Sequence, residues 1–380
     1  GGGGGGAAGE GEGAEPSAAP NWNLFIGMKT LEAATGGFFD GNRLGQGGFG
    51  PVYKGVMPNG QQIAVKKLSL NSRQGMKEFT NEVRLLLKVQ HRNLVSLLGC
   101  CAEAGEKMLV YEYLPNRSLD HVLFDKSKSA SLAWSKRFEI IKGIARGLLY
   151  LHEESPVKII HRDIKANNIL LDEQLTPKIS DFGLARLFEG DDTHVNTFKI
   201  SGTYGYMAPE YAFNGYLSVK TDVFSYGVLV LEIVSGRKNL DRQLDEEKAD
   251  LLSYAWKRSE DGKPLEIMDP SLTTWDSDEA TLCIRIGLLC CQATLADRPD
   301  MYNVHLMLSS DSFALPKPGR PGIRGRVGRW TTTSSNLSKM NTNSTGTTSN
   351  TGTNKTSTTL GLIEEYSRNS ISVSFTSEGR

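Results

Sequence analysis

The sequence predicts an α+β chain of two lobes, a small strand-rich one followed by a larger helical one, with tails of different composition at either end. Three observations predict it: short β-branched or aromatic runs separated by turn signals before residue 120, one stretch of helical periodicity among them, and mostly helical periodicity beyond Leu119. At 380 residues the chain exceeds one average domain and can bury a sizeable core.

The elements follow in order. Residues 1 to about 20 are almost wholly Gly, Ala, Glu and Pro, too poor in apolar groups to offset an ordering cost of roughly 1–2 kcal/mol per residue. Residues 1–37 are therefore expected to form a disordered, juxtamembrane-like segment. Strands are predicted within Leu44–Tyr53, Gln61–Leu68, Val95–Ala102 and Met108–Tyr113, with Pro58-Asn59-Gly60 as a hairpin turn. Met76, Phe79, Val83, Leu86 and Leu87 recur at helical spacing and predict the apolar face of one interrupting helix. The small lobe then spans about 38–113 and the larger one about 117–310, where Phe138, Ile141, Ala145, Leu148 and Leu149 mark one helical face. Residues 311–380 read as a disordered tail, because the basic, breaker-rich PKPGRPGIRGRVGR precedes a stretch dominated by Ser, Thr, Asn and Gly.

Composition narrows the function classes. Lys plus Arg (43) equals Asp plus Glu (43), so no overall field favours nucleic acid or an anionic membrane. The five cysteines, Cys100, Cys101, Cys283, Cys290 and Cys291, lack metal-ligand spacing and argue for buried thiols in a reducing compartment. Apolar runs such as Val228–Val234 are too short to cross a bilayer, so no transmembrane segment is expected within these residues.

The stretch RLGQGGFGPVYKG fits G-x-G-x-x-G-x-V through Gly45, Gly47, Gly50 and Val52. A dinucleotide fold uses similar glycines, but its loop must open a helix. Here VYKGV and a hairpin follow, so the glycines lie between two strands and suit a cover over phosphates. Leu44, Gly45, Gln46, Gly47, Gly48, Phe49, Gly50 and Val52 would form that cover, with Phe49 at its tip shielding phosphates from water. Lys66 in IAVKK supplies the cation such a cover requires, and Glu82 on the following helix is available to hold it. Two charges about 4 Å apart interact by about 4 kcal/mol at an effective dielectric near 20, before desolvation.

Further along, His161-Arg162-Asp163, Asn168 and Asp181-Phe182-Gly183 match the protein-kinase signature set in order and context. With LGQGGFGPVYKG, NEVRLLLKVQHRNLVSLLGCC, LVYEYLPNRSLD and GTYGYMAPEY, the chain resembles plant receptor-like protein kinases of the cysteine-rich receptor-like type over about residues 30–310. The resemblance implies the bilobal kinase fold and an ATP-dependent serine/threonine kinase. On that pattern Asp163 accepts the substrate hydroxyl proton, Lys165 pairs with the transferred phosphoryl group, and Asn168 and Asp181 hold Mg2+, or alternatively Mn2+. Lys66 would reach the phosphates and Glu82 would fix it. Lys165 and Thr203 follow the serine/threonine rather than the tyrosine pattern. Val52, Ala64 and Leu170 would sandwich the adenine, the backbone of Glu112 and Leu114 would bond its edge, and Tyr111 would stand behind it as gatekeeper.

The resemblance further implies a Glu210–Arg298 ion pair in the larger lobe and an Asp222 cap on the catalytic loop. Thr197 would be the principal autophosphorylation site, read by Arg162. Protein substrates and membrane receptor-like kinases are the expected partners. The expected location is the cytoplasm, or the inner face of the plasma membrane if a receptor segment lies upstream. Ser201 stands where the family more often has Ala, and Asn167 where it more often has Ser. A kinase-shaped scaffold or ATP-binding interaction module is the competing reading; it usually lacks the strand Lys, the catalytic Asp or the metal Asp, whereas Lys66, Asp163 and Asp181 are all present.

Overall fold

The computed structural model of the chain describes residues 24–47, 50–68, 73–188, 193–310, 315–322 and 371–374. Five antiparallel strands build the first lobe: β1 (Arg43–Gly47), β2 (Gly50–Val56), β3 (Gln62–Leu68), β4 (Leu97–Cys101) and β5 (Lys107–Glu112), in the spatial order β1-β2-β3-β5-β4. The predicted turn at Pro58–Gly60 joins β2 to β3, with Gly60 at φ 84°, a conformation that favours glycine.

Side-chain alternation splits β3 between two surroundings. Ile63 and Val65 join Met108 and Val110 in a cluster beneath α1 (Met28–Thr35), while Ala64 packs against the main core and Lys66 pairs with acidic groups of the cleft. This overturns the expected disorder for residues 24–37, while residues 1–23 lie outside the described residues. Leu31 and Thr35 are fully buried, and the backbone of residues 24–26 bonds Cys100 of β4. Burying a side chain such as Leu31 contributes about 1.5–3 kcal/mol, and only the folded sheet offers it a surface.

The interrupting helix forms as α2 (Arg73–Leu86), yet its predicted apolar face is only partly the buried one. Leu86 is buried and Phe79 and Val83 partly so, but Met76 is 42% and Leu87 55% exposed, while Glu78 and Glu82 are buried. The helix is wedged between the sheet and the segment Phe182–Leu184, so its covered surface includes a polar stripe that periodicity does not report.

In the second lobe the helices are α3 (Asp120–Leu123), α4 (Trp134–Leu149), α5 (Pro209–Asn214), α6 (Val219–Ser235), α7 (Leu251–Glu260), α8 (Ser277–Cys290) and α9 (Met301–Ser309). The α6 helix is buried all round from Thr221 to Ser235 and is the axis on which α4 and α8 pack. Ser218 and Thr221 cap its start reciprocally. Short strand pairs complete the lobe: β6 (Lys158–Ile160) with β9 (Arg186–Phe188), β7 (Ile169–Leu171) with β8 (Pro177–Ile179), and β10 (His194–Asn196) with β12 (Tyr216–Ser218). Arg298 and Glu210 meet in two 2.8 Å bonds.

Of the tail expected to be disordered, residues 311–314, 323–370 and 375–380 lie outside the described residues, and only the stretch 315–322 corrects the expectation. Residues 315–322 pack on the second lobe, with Gly322 donating to the Cys291 carbonyl and Ala293 to that of Arg320. Beyond them, β13 (Ile371–Ser374) pairs with β11 (Lys199–Gly202). All five cysteines are buried and unpaired as disulfides, and burial pushes the Cys290 thiol up to about 12. Among the described residues, no helix is long and apolar enough to cross a membrane.

Candidate active site

The loop after β6 carries His161 to Asn168, and its shape is fixed from below by α6. Asp222, in the first turn of that helix, is fully buried and accepts the backbone N–H of His161 (2.7 Å) and of Arg162 (2.8 Å), with His152 Nε2 at 3.0 Å. Burial opposes its charge, but the His152 bond, the electrostatic pull of the two neighbouring imidazoles and the His161 N–H outweigh it and hold the carboxyl below its usual range. Arg162 sits at φ 73°, so the loop is held in a conformation that non-glycine residues seldom adopt.

That support presents Asp163, 3% exposed, at the centre of a polar cluster. Asn168 Nδ2 donates to its carbonyl (2.8 Å) and to Oδ2 (3.0 Å), and the Thr203 hydroxyl donates to Oδ1 (2.5 Å). Lys165 Nζ lies 2.9 Å from Oδ2 and donates to Thr203 Oγ1 at 2.8 Å. The base candidate is thus oriented on both oxygens and flanked by an ammonium.

Across the cleft, Lys66 of β3 lies 3.4 Å from Glu82 and 3.0 Å from Asp181. Burial disfavours the Lys66 charge, but the Asp181 and Glu82 carboxylates outweigh it and raise its pKa. Burial pushes Glu82 up despite Lys66, whereas Lys66 overcomes the burial of Asp181 and brings that carboxyl down. Two features escaped the sequence reading. The Tyr111 hydroxyl donates to Glu82 Oε2 at 2.5 Å, tying the residue expected behind the adenine to the ion pair. Asn81 also donates to the carbonyls of Phe182, Gly183 and Ala185 at 3.0, 3.2 and 2.7 Å, latching α2 to the segment after Asp181. No motif signals either, because each depends on how α2 docks.

At the expected nucleotide end, Leu44, Val52, Ala64 and Leu170 are each half-buried, while Ile63, Val65, Ile169 and Leu171 beside them are buried. Glu112 and Leu114 follow Tyr111 where β5 leaves the sheet, and the Glu112 side chain pairs with Lys178 at 3.0 Å. The loop glycines separate into two kinds. A Cβ at Gly45 would meet open space, whereas one at Gly50, φ 144°, would lie 1.8 Å from the Lys67 carbonyl oxygen. Gly50 is bare because β3 demands it, and Gly45 is free to face a ligand. Gln46 is exposed and Gly47 pairs with Gly50, while Gly48 and Phe49 lie outside the described residues.

A divalent cation fits Asn168 and Asp181 chemically. The Asn168 amide nitrogen is committed to Asp163, leaving its oxygen as a donor, and Asp181 adds a carboxylate. Among the described residues no cluster of three or more His, Cys, Asp or Glu side chains could hold a metal, so a hard cation there would draw its other ligands from phosphates and water.

A family model described as protein tyrosine and serine/threonine kinase matches residues 40–307. The chain belongs to the protein kinase family. It is 50% identical over 320 residues to cysteine-rich receptor-like protein kinase 10 of Arabidopsis thaliana, covering 83% of this chain and 48% of the relative. It is 55% identical over 305 residues to cysteine-rich receptor-like protein kinase 28 of that plant, covering 79% and 45%. A putative G-type lectin S-receptor-like serine/threonine-protein kinase from the same species is 56% identical over 293 residues, covering 77% and 35%. The likeness to the cysteine-rich group is therefore real but shared with the lectin-type receptors. The chain spans about a third to a half of the length of these relatives.

Within this kinase, the activation segment from Asp181 to Glu210 bounds a second cationic feature. A cavity of about 270 Å³ is lined by Lys77, Arg162, Arg186 and Lys199 together with Thr197. Arg162 is held there by bonds to the Leu184 and Lys199 carbonyls and the Tyr211 hydroxyl.

Proposed function

We propose that this kinase domain transfers the γ-phosphate of ATP to Ser or Thr hydroxyls of protein substrates. The observation that carries the reading is the Asp163 cluster. One carboxylate has Thr203 2.5 Å from Oδ1 and both Lys165 (2.9 Å) and Asn168 (3.0 Å) on Oδ2. In this mechanism Asp163 receives the proton of an incoming hydroxyl. Lys165 balances charge on the phosphoryl group in flight, and Lys66, kept in place by Glu82, steadies the phosphates. Asn168 and Asp181 would hold Mg2+, or Mn2+, which when bound neutralises phosphate charge. Val52, Ala64 and Leu170 give the nucleotide base apolar faces, and the backbone of Glu112 and Leu114 reads its edge.

Thr197 is the activating autophosphorylation site in this reading. It is half-buried beside Arg162, Arg186, Lys77 and Lys199, cations suited to a phosphate, while Ser201 is 2% exposed and Thr203 is committed to Asp163. The relatives are receptor-like by name, so we place the chain's work at the inner face of the plasma membrane, with receptor-like kinases as partners. Incubation of dephosphorylated protein with labelled ATP and Mg2+, followed by phosphoamino-acid analysis and site mapping, tests the reading. Phosphoserine and phosphothreonine dependent on Asp163 are expected, with Thr197 labelled. Nucleotide binding without Asp163-dependent label would make the chain a scaffold, and full activity of Thr197→Ala would remove the switch.

A further inference from the structure

The stretch PKPGRPG, residues 316–322, is docked on the second lobe, and the mechanism above leaves it unused. Pro318 and Pro321 are buried and Leu315 half-buried, while Pro316, Lys317, Gly319 and Arg320 are exposed. Covered side chains thus recur at every third position, the repeat of a polyproline II helix, whose backbone the proline rings already hold in shape. Such a helix makes no hydrogen bonds of its own, so its backbone groups must find partners elsewhere. They find them on α8 and just beyond its end. Arg285 donates to the carbonyls of Leu315 and Pro316, at 3.0 and 3.4 Å, and the Gly319 N–H donates to Gln292 Oε1 at 2.6 Å. Ala293 donates to the Arg320 carbonyl at 3.0 Å and Gly322 to the Cys291 carbonyl at 2.9 Å.

Behind these contacts lies the buried Glu210–Arg298 pair. Gln292, 5% exposed, donates from Nε2 to the Asp297 carbonyl at 2.5 Å, and its own carbonyl accepts from Arg298 Nε at 2.6 Å. Arg298 then reaches Glu210, in the first turn of α5, through two 2.8 Å bonds. The segment also meets α5 directly: a Cβ at Gly322 would stand 2.7 Å from Pro209 Cγ. From α5 the Tyr211 hydroxyl engages Arg162 at 2.5 Å and the Ser201 N–H at 2.9 Å. Thr203, just beyond Ser201, bonds Asp163.

We propose that residues 315–322 are a positioning clamp: docked on α8, they hold Gln292 and Pro209, and through the Arg298–Glu210 pair they fix the end of the activation segment that receives a protein substrate. A buried ion pair contributes only when its geometry is good and its remaining polar atoms are satisfied. Gln292 supplies one of those bonds to Arg298, and Gly319 fixes Gln292. Without the clamp the nucleotide-binding groups keep their places, while α5 and the strand leading to Thr203 loosen. The link to substrate binding rests on the kinase reading, whereas the clamp itself does not.

The test compares the full chain with a chain ending at Ser310, a chain ending at Trp330 that keeps the clamp, and Gln292→Met, which keeps the side-chain length but removes the amide. Amide hydrogen exchange at Ala212 and Gly215, whose N–H groups bond within α5, should quicken in the Ser310-ended chain and in Gln292→Met. It should stay slow in the chain ending at Trp330, and exchange within α6 should stay slow in all. The KM for a Ser/Thr-containing peptide at saturating ATP should rise about threefold to tenfold in the two loosened chains, the scale of one net hydrogen bond. The KM for ATP should not move. Unchanged α5 exchange in the Ser310-ended chain would overturn the clamp, and equal quickening in α6 would overturn it by showing general destabilisation. Faster α5 exchange with unchanged peptide KM would overturn the link to substrate binding. An effect of truncation with none from Gln292→Met would overturn the route through Gln292. If no chain phosphorylates the peptide, the kinase reading fails while the exchange data still decide the clamp.

Discussion

In the second lobe, Asp222 receives two backbone N–H groups at 2.7 and 2.8 Å with His152 at 3.0 Å, and every partner belongs to that lobe. In the first lobe, Lys66 divides its ammonium between Glu82 at 3.4 Å and Asp181 at 3.0 Å, and Asp181 comes from across the cleft. The first arrangement is closed and resembles a core. The second is a chain of shared charges, β5 to α2 to β3 to Asp181, in which Lys66 keeps Asp181 if Glu82 moves away and Glu82 keeps Tyr111 if Lys66 does. The proposed function uses both: a loop around Asp163 that does not move and a cation, Lys66, whose position depends on how the lobes and α2 are arranged. The buried Arg298–Glu210 and Arg137–Asp269 pairs, at 2.8 and 2.7 Å, belong with the closed kind.

The contrast can be broken by experiment, beginning with the largest effect. Replacing Asp163 with Asn should lower kcat by about 10²–10⁴-fold while leaving the melting temperature unchanged, measured by labelled-phosphate transfer and calorimetry. Next, Asp222→Ala strips two buried N–H groups and a buried imidazole of their acceptor, and should destabilise the fold by about 3–5 kcal/mol in denaturant titration. By comparison, Lys66→Met should abolish phosphate transfer yet cost far less stability, because Glu82 keeps its bond from the Tyr111 hydroxyl and the Asp181 side chain is 25% exposed. Equal destabilisation by Asp222→Ala and Lys66→Met would erase the distinction between closed and shared charges.

A smaller effect is expected at Tyr111. Tyr111→Phe removes a 2.5 Å bond to Glu82 and should cost about 1.5–3 kcal/mol, divided between stability and a raised KM for ATP. A separate effect is a pH trend. Burial pushes Glu232 from its ordinary 4.5 up to about 8, with the Tyr206 hydroxyl 2.8 Å from Oε2 and the Asn239 N–H 2.8 Å from Oε1. Between those values the folded chain keeps a proton that the unfolded chain releases. This contribution to stability is therefore complete below pH 4.5 and is lost as the pH rises toward 8. Melting temperatures of wild type and Glu232→Gln, taken at intervals between those limits, should show the wild-type decline flattened in the variant.

Legibility in the sequence followed locality. The strands of the first lobe were readable because β-branched runs and the Pro58–Gly60 turn act over a few residues, and α4 was readable because Ile141, Ala145 and Leu148 share one buried face. The order of residues 24–37 was missed because the apolar surface that orders α1 is made by β3 and β5, distant in sequence. The apolar face drawn on α2 was partly wrong for a related reason: Met76 and Leu87 point to solvent, while Glu78 and Glu82 are buried against the cleft.

By itself the sequence determined which chemical groups exist and in what order, and hence the family: Lys66, Glu82, Asp163, Asn168 and Asp181 are recognisable as types at spacings. Only the tertiary structure decided what each one touches. Glu82 shares Lys66 with Asp181 while bonding Tyr111, and Asp163 is bracketed by Thr203 and Lys165. The physical reason is range. Turn chemistry and periodicity act over a few bonds, whereas ion pairs and strand pairing form between residues that only folding brings within reach.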